Sequence, residues 1–516
     1  MFCNILSGGV VGVSACLVGV EVDMDKGLPS FSMVGSLSGE VRESRERVSV
    51  ALKNSGFSIP PTRVTVNLSP ADVHKEGTAF DLPIAVGILQ VMSYFGESAT
   101  EDILFLGELG LNGELKKVRG VLPIVQAAWK AGVKQCIVPF ANAAEGAVIP
   151  GIKVRGAESI GQVLAFLQQE NEEEKEKILP ELSIDANLLL NDLSMEGEDF
   201  AQVQGQEMAR RAAEIAAAGF HNLLMIGPPG AGKSMIARRI PGILPPLTLQ
   251  ESLEVTGIYS VAGLLEEGQA LVPKRPFQHP HHTISRAALT GGSLRPRPGL
   301  ISLSHRGILF MDELPEFGRS IIDSMRQPLE EHRVQLAKAG GNLTYPADFM
   351  LVCAMNPCPC GFYPDRNRCK CTETQINRYK GKVSGPIMDR IDLWVELQAV
   401  KLSGLQSGSP VEGTAEIRER VKQARIMQEN RFRGSKYRFN ADIEAGDLEK
   451  FCPLGDGEKK LMERLYHSLQ LSARAYHRIV KVARTIADLE GAEVIREEHL
   501  LEAAGYRPGE LPVHSQ

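Results

Sequence analysis

The chain has 516 residues, enough for about three domains of ordinary size, which excludes a small scaffold held together by disulfides or metal. Its 57 Lys and Arg residues against 63 Asp and Glu residues give a net charge of −6, so a nucleic-acid site would have to be local. Nine unevenly spaced cysteines are not typical of a secreted disulfide framework, and we expect a reducing, cytoplasmic location.

The first part of the chain, residues 1–170, mixes short strands with amphipathic helices. Apolar and acidic residues alternate over residues 18–24, which predicts a strand-turn-strand start rather than an export signal. Residues 64–68 alternate similarly, and residues 42–52 have apolar positions at helical spacing. We therefore expect an α+β domain. No apolar run is long enough to span a membrane, and no membrane partner is expected.

A polar, acidic segment follows this domain. Residues 168–177 read QQENEEEKEK, and the stretch after them has little hydrophobic pattern. Residues 171–198 are therefore predicted to form a linker.

Residues 199–400 alternate apolar strand patterns with helices. The apolar runs lie at 223–226, 308–311 and 350–355, and helix-compatible stretches separate them. This order predicts an α/β fold with a parallel sheet. Residues 414–510 keep only helical periodicity, which predicts a helical C-terminal domain.

A phosphate-binding loop follows the first apolar run. The sequence GPPGAGKS satisfies the pattern G-x-x-x-x-G-K-[ST] between a strand and a helix. Backbone amides of such a loop converge on phosphate oxygens, while Lys233 can neutralise phosphate charge and the Ser234 hydroxyl can bind Mg²⁺. The alternative is a glycine-rich turn without a ligand, which the strand-helix context disfavours. We predict ATP and Mg²⁺ as cofactors, bound by Gly227, Pro228, Pro229, Gly230, Ala231, Gly232, Lys233 and Ser234.

Polar residues also end the two later apolar runs. Asp312 and Glu313 follow one run, and Asn356 follows the other. In a parallel sheet the strand ends form the edge where ligands bind, so Asp312 can hold Mg²⁺ and Glu313 can activate a water molecule that Asn356 orients. The alternative is an acidic pair that caps the next helix. We predict ATP hydrolysis.

Two loops carry the basic residues that a DNA channel would need. Residues 289–299 contain two adjacent glycines with Arg295 and Arg297, and residues 334–345 are predicted to be a hairpin with Lys338 near its tip. Repeated around a ring, these cations would present a basic pore to phosphates. The alternative is that both loops contact adjacent subunits or a protein client.

Four cysteines lie within fourteen residues, in the pattern C-x-C-x8-C-x-C. Four thiolates suit tetrahedral zinc, and a closed set of four favours a structural site. Redox-sensitive thiols, or spacing without ligation, are the alternatives. The predicted zinc ligands are Cys358, Cys360, Cys369 and Cys371.

The segment HPHH at residues 279–282 offers three imidazoles. Because a proline interrupts it and no acidic residue is near in sequence, we expect a structural role or a subunit contact rather than a metal site.

Several motifs together resemble the YifB/ComM family of magnesium-chelatase-like AAA+ ATPases, over almost the whole chain. They are KEGTAFDLPIA, GPPGAGKS, HPHHTISRAALTGGSLRPRPGLISLSHRGILFMDELPEF, AMNPCPCGFY, SGPIMDRIDL and LSARAYHRIVKVARTIADLEG. The resemblance implies a homo-hexameric ring with ATP between subunits. Arg390 would then be an arginine finger that reaches a neighbour's γ-phosphate, and Arg474 would be a lid arginine that contacts nucleotide in its own subunit or in a neighbour.

The resemblance also implies a Lon-protease-like fold for residues 1–170. The positions that carry the nucleophilic Ser and the Lys in such proteases are Ala79 and Leu122 here. Neither side chain can attack a carbonyl or accept a proton, so this domain is expected to build the ring or dock a partner rather than cleave peptides.

The expected function is that of an ATP-driven DNA motor, a helicase or branch-migration factor acting on single-stranded or branched DNA in natural transformation and homologous recombination. A protein-remodelling chaperone is the alternative, and a magnesium-chelatase subunit is a further one. The ligand that stimulates ATP hydrolysis would separate the first two.

Overall fold

The computed structural model describes residues 2–191, 198–292, 297–338, 341–399 and 412–507. An eight-stranded mixed sheet organises the first part of the chain, in the strand order β10-β9-β8-β5-β1-β2-β4-β3, and β6 pairs with β7 in a separate hairpin. The strands are β1 (Phe2–Val11), β2 (Ser14–Asp25), β3 (Ser30–Val34), β4 (Arg63–Ser69), β5 (Ile103–Phe105), β6 (Glu108–Leu109), β7 (Leu115–Lys116), β8 (Gln135–Pro139), β9 (Lys153–Ala157) and β10 (Glu181–Leu182).

Helices cover this first sheet, as expected for an α+β domain. The helix over Asp81–Val91 is buried along its whole length and packs on the first two strands. The helices are α1 (Gly39–Arg42), α2 (Ser44–Asn54), α3 (Asp81–Val91), α4 (Val121–Lys130), α5 (Phe140–Ala147), α6 (Ile160–Leu167), α7 (Glu172–Ile178) and α8 (Ala186–Asn191), with a 3₁₀ turn at Glu97–Thr100.

The segment predicted as an acidic linker, residues 171–198, is partly built into this domain. Its acidic start forms α7, and β10 pairs antiparallel with β9 at the edge of the sheet. Leu179 between them is fully buried, and Arg155 of β9 forms an ion pair with Glu176 (2.8 Å). Long-range partners that the local composition does not reveal therefore order this stretch.

The second sheet is fully parallel, as the apolar runs predicted. Its order is β12-β13-β16-β11-β17, and β14 pairs with β15 in the predicted hairpin. The strands are β11 (Leu223–Ile226), β12 (Phe277–Gln278), β13 (Ile308–Met311), β14 (Arg333–Lys338), β15 (Gly341–Pro346), β16 (Met350–Met355) and β17 (Leu393–Glu396).

Helices flank this sheet, and all described elements after it are helical. The helices beside the sheet are α9 (Glu207–Gly219), α10 (Lys233–Ile243), α11 (Leu249–Ala262), α12 (Arg286–Thr290), α13 (Leu300–Leu303), α14 (Arg319–Ser324), α15 (Arg326–Glu331), α16 (Glu373–Lys380) and α17 (Gly385–Met388), with 3₁₀ turns at Phe200–Gln202 and Leu314–Glu316. The C-terminal helices are α18 (Thr414–Arg431), α19 (Leu448–Phe451), α20 (Asp456–Ser468), α21 (Ala473–Leu489) and α22 (Glu497–Gly505), with 3₁₀ turns at Asn440–Asp442 and Ala445–Asp447.

Helix α11 joins the two sheets into one body. The hydroxyl of Ser260 donates to buried Glu145 of α5 (2.6 Å), and the amide of Gly120 donates to the Ser260 carbonyl (3.1 Å). Leu249 and Leu253 of the same helix pack into an apolar cluster of the first domain. Within the described ranges, no helix combines the length and apolarity needed to cross a membrane.

Candidate nucleotide-binding site

The predicted phosphate-binding loop leaves the end of β11 and opens α10. Gly230 and Gly232 have φ of +78° and +91°, values that favour glycine. Gly227 lies against the segment that follows β17, because a Cβ added to it would be 2.8 Å from the carbonyl oxygen of Leu397. The turn therefore needs glycine at three positions, and its backbone amides come to the N-terminus of a helix.

Lys233, the first residue of α10, bridges the loop and the neighbouring strand. Its Nζ donates to the carbonyls of Gly227 (2.6 Å) and Pro228 (3.0 Å) and to Oδ1 of Asn356 (3.0 Å). Burial lowers its pKa, while the charges of Asp312 and Glu313 act in the opposite direction. A desolvated cation held by neutral carbonyls is ready to exchange them for phosphate oxygens.

Ser234 and the two predicted carboxylates lie beside this lysine. The Ser234 hydroxyl donates to Oδ2 of Asp312 (2.6 Å), so both predicted Mg²⁺ ligands are adjacent. Glu313 has φ +52°, a left-handed conformation unusual for a non-glycine residue, and its amide donates to Oδ1 of Asp312 (2.9 Å). The carboxylate of Glu313 is partly exposed.

Two residues support this site although the sequence analysis did not place them there. His282 was expected to have a structural or contact role, but its Nδ1 is 3.7 Å from Oε2 of the Glu313 carboxylate. Gln206 donates from Nε2 to the carbonyl of Ala231 in the loop (3.1 Å). His282 follows β12, a strand that pairs with β13. Because β12 has only two residues, its sequence shows no strand alternation, and nothing in the sequence indicated that His282 would lie near Glu313.

Arg390 and Arg474 lie at the opposite edge of the sheet from the phosphate-binding loop. The Arg390 carbonyl accepts a hydrogen bond from Asn222 (2.8 Å), which precedes β11, whereas the loop follows β11. Both arginines line one cavity of about 1020 Å³, and Arg474 is 3.8 Å from Asp389. The structure therefore gathers the loop, Asp312, Glu313 and Asn356 at one edge and places the two arginines at the other.

Arg390 is held in place by contacts within this chain. Its guanidinium donates to the carbonyl of Pro386 and pairs with Glu330, while its Nε is buried without a hydrogen-bond partner. Burial lowers the pKa of Arg390, and the nearby charge of Arg474 acts in the same direction. The two cations lie close together at this edge, Arg390 paired with Glu330 and Arg474 beside Asp389.

The two predicted DNA loops pack against each other. A Cβ added to Gly292 would lie 3.4 Å from the Leu336 side chain of β14, and Gly291 bridges to Pro298. Arg297 is exposed, whereas Arg295 and the side chain of Lys338 lie outside the described residues. The hairpin also reaches the first domain, because a Cβ on Gly12 would lie 3.4 Å from the carbonyl oxygen of Thr344.

The four predicted zinc ligands come together in a small lobe after β16, residues 358–371, which we call the cysteine lobe. Three pairs of their sulfur atoms are 3.4, 3.6 and 3.7 Å apart, and all four lie within 4.8 Å of one another. A tetrahedral zinc with bonds of about 2.3 Å requires sulfur atoms about 3.8 Å apart. The donor set therefore fits a closed tetrahedral site.

Hydrogen bonds acidify one thiol of the lobe. A backbone hydrogen bond with Phe362 lowers the pKa of Cys360 to about 6, with further help from the neighbouring thiols. A thiol that ionises near neutral pH favours metal ligation.

The two positions compared with a Lon protease are buried in an apolar cluster. Ala79 and Leu122 pack there with Ala270 and Leu271, which follow α11 in the part of the chain that forms the second sheet. Residues from outside the first domain thus help to bury these two side chains.

Comparison with known proteins agrees with this architecture. Residues 199–405 match the family described as magnesium chelatase, subunit ChlI, residues 20–142 match subunit ChlI of Mg-chelatase, and residues 411–507 match the ChlI C-terminal family. The competence protein ComM of Haemophilus influenzae is 40% identical over 98% of this chain and 97% of its own length. The YifB protein of Salmonella typhimurium is 41% identical over the same shares.

A weaker similarity connects the chain with proteases. Lon protease 1 of Herpetosiphon aurantiacus is 24% identical over 36% of this chain and 24% of its own length. The ComM and YifB matches instead extend over nearly the full length of both proteins, and three chelatase families match successive parts of the chain. The chain therefore belongs to the YifB/ComM family of magnesium-chelatase-like proteins.

Proposed function

We propose that the chain is the ATP-hydrolysing subunit of a hexameric motor that moves single-stranded or branched DNA. The separation of the phosphate-binding loop from Arg390 and Arg474, at opposite edges of one sheet, carries this proposal. A site that uses the loop from one edge and the arginines from the other needs two copies of the chain. When the loop edge of each copy contacts the arginine edge of the next, the copies can close into a ring. The C-terminal helices would act as the lid of each site.

The proposed chemistry follows from the residues at the loop edge. The loop amides and Lys233 hold the phosphates of ATP, and Ser234 with Asp312 holds Mg²⁺, which neutralises developing phosphate charge. Glu313 accepts a proton from the attacking water, and Asn356 orients that water.

Arg390 supplies positive charge from a neighbouring subunit. The backbone carbonyl of Arg390 is hydrogen-bonded to Asn222 at the opposite edge of the sheet, so its side chain cannot reach phosphates bound by the loop of the same chain. In the neighbour's site it stabilises charge that develops on the transferred phosphoryl group. Arg474 lies beside Arg390, and we assign it to the same neighbouring nucleotide.

The DNA part of the proposal rests on the paired loops and on the similarity to ComM. Arg297 is exposed beside a hairpin that carries Lys338, and Arg295 belongs to the same loop. Six copies would line a pore with these cations although the chain has a net charge of −6. ComM is named a competence protein, which supports a helicase or branch-migration role in natural transformation and homologous recombination.

The first domain would serve as a non-proteolytic, Lon-like platform. Ala79 and Leu122 offer neither nucleophile nor base, and α11 fixes this domain to the ATPase core. The cysteine lobe would hold one structural zinc ion through Cys358, Cys360, Cys369 and Cys371.

The test measures ATP hydrolysis with and without single-stranded DNA. We expect DNA to stimulate the wild-type rate, and Arg295→Ala and Lys338→Ala to reduce that stimulation because each removes one cation per subunit from the pore. Lys53→Ala, an exposed lysine of α2 in the first domain, is the matched control and keeps the wild-type response. Raising the salt concentration should weaken the response.

Unchanged stimulation in both loop variants, or a response insensitive to salt, would contradict the DNA channel. Stimulation by an unfolded protein in place of DNA would favour a remodelling chaperone instead.

A further inference from the structure

The cysteine lobe touches the phosphate-binding loop directly. Gly361, between the second and third cysteines, has φ +84°. A Cβ added to Gly361 would lie 2.5 Å from Cδ and 2.8 Å from Cγ of Pro229, so the backbone of the lobe packs closely against the proline ring. Both the left-handed φ and the close approach require glycine. The lobe is therefore one wall of the loop that binds phosphate.

The lobe also lies beside Asn356, because a Cβ added to Gly361 would lie 3.8 Å from Cγ of Asn356. This residue lies two positions before Cys358, and its Oδ1 accepts a hydrogen bond from Lys233 (3.0 Å). After the last cysteine, Thr372 caps α16. The conformation of the lobe thus reaches two groups of the nucleotide site, Pro229 and Asn356.

The apolar core of the lobe is small. Its apolar core consists of buried Cys358, Cys369 and Ile376, with Phe362 and Tyr363 partly buried beside them. So small a core needs a cross-link to keep one conformation, and four convergent thiolates provide it when they ligate a metal. Without that cross-link, the lobe keeps only this small core and local turn hydrogen bonds, such as the one that the Gly361 amide donates to the Cys358 carbonyl (3.0 Å).

We propose that metal ligation in the cysteine lobe sets the affinity of the phosphate-binding loop for ATP. The metal-bound lobe presses Gly361 on Pro229 and holds Asn356 against Lys233, so the loop is already shaped for phosphate. Loss of the metal frees both contacts and weakens ATP binding while the parallel sheet stays folded. This inference rests on the proposed zinc site and ATPase function.

The contact between Gly361 and Pro229 can be tested with the four cysteines unchanged. Gly361→Ala adds a methyl group against Pro229, and we expect the dissociation constant for Mg²⁺-ATP, measured by titration calorimetry, to rise about tenfold. Zinc content, measured by mass spectrometry, should stay at one per chain. Gly56→Ala is the matched control, because Gly56 also has a positive φ (+90°) but no atom within 4 Å of the added Cβ.

The metal is tested separately. Cys371→Ser protein, and wild-type protein stripped with a chelator under reducing conditions, should lose zinc and show a similar rise in the dissociation constant. Circular dichroism should report an unchanged fold. Cys16→Ser, at a partly buried cysteine of the first domain, keeps both zinc and affinity.

Wild-type affinity in zinc-free protein, or in Gly361→Ala, would overturn the inference. If wild-type protein binds ATP but contains no metal, the inference and the zinc site both fail while the ATPase proposal stands. If wild-type protein binds no ATP at all, the ATPase proposal itself fails.

Discussion

Glu313 stands out among single residues, because its backbone has φ +52° and its carboxylate faces an imidazole. Non-glycine residues rarely adopt this conformation, so the surrounding turn must hold Glu313 in it. Nδ1 of His282 lies 3.7 Å from this carboxylate. The direction of the Glu313 side chain therefore depends on both the turn and the histidine.

Replacing Glu313 by Gln removes the proposed base but keeps the shape of the side chain. We expect the turnover number for ATP to fall about a hundredfold or more, with nucleotide affinity retained, because Lys233, Ser234 and Asp312 are untouched. Steady-state hydrolysis and calorimetric binding measure the two effects. Full activity in this variant would remove Glu313 from the mechanism.

His282→Ala should release the carboxylate from its imidazole neighbour. Without the imidazole, Glu313 would face the attacking water in a larger fraction of molecules even when no DNA is bound. We therefore expect basal hydrolysis to rise roughly two- to fivefold and stimulation by DNA to shrink. His281→Ala is the matched control, because the Nδ1 of this exposed ring bonds instead with the hydroxyl of Thr283 (2.9 Å). A fall in basal turnover would show that His282 assists Glu313 rather than restrains it.

At the scale of elements, α11 connects the first domain, the parallel sheet and the C-terminal helices. Its Glu254 receives hydrogen bonds from His305 (3.3 Å) and Arg306 (3.0 Å), and Arg438 lies 3.6 Å away. Burial would raise the pKa of Glu254, but these partners outweigh it and hold the pKa at about 2. Burial also lowers the pKa of His305.

Both shifts make the folded chain sensitive to acid. A carboxyl whose pKa falls from 4.5 to about 2 on folding stabilises the protein above pH 4.5, and this contribution disappears as the pH falls towards 2. The difference in the free energy of unfolding between wild type and Glu254→Gln should therefore shrink between pH 5 and pH 3. Urea unfolding at several pH values measures it. Glu173→Gln, at an exposed glutamate of α7, should show no such trend.

The sequence predicted those elements whose signal is local. The phosphate-binding loop is a contiguous motif, and the strands β11, β13 and β16 are continuous apolar runs, so the edge with Lys233 and Asp312 could be foreseen. The contact of His282 with Glu313 could not, because a two-residue strand brings them together. The helix α7 and the strand β10 within the predicted linker were also missed, since their order depends on distant partners such as Arg155.

At the scale of the whole molecule, a subunit mixture tests whether ATP sites are shared. Lys233→Ala should lose nucleotide binding, and Arg390→Ala should bind ATP but hydrolyse it at least about a hundredfold more slowly. In rings mixed from equal amounts, roughly a quarter of the contacts pair an intact loop with an intact Arg390, so activity should return to about that share of wild type. Mixtures as inactive as the single variants would show that each subunit serves its own site.

The opposite placement of the loop and Arg390 also gives any assembly a sense of direction. When the front of one copy always meets the back of the next, no two-fold axis relates neighbours, and the two openings of a closed circle are chemically different. A strand that enters would meet the same succession of surfaces in every circle. If the proposed motor moves DNA, the geometry of a single protomer would set the direction of travel, and ATP hydrolysis would still have to drive it.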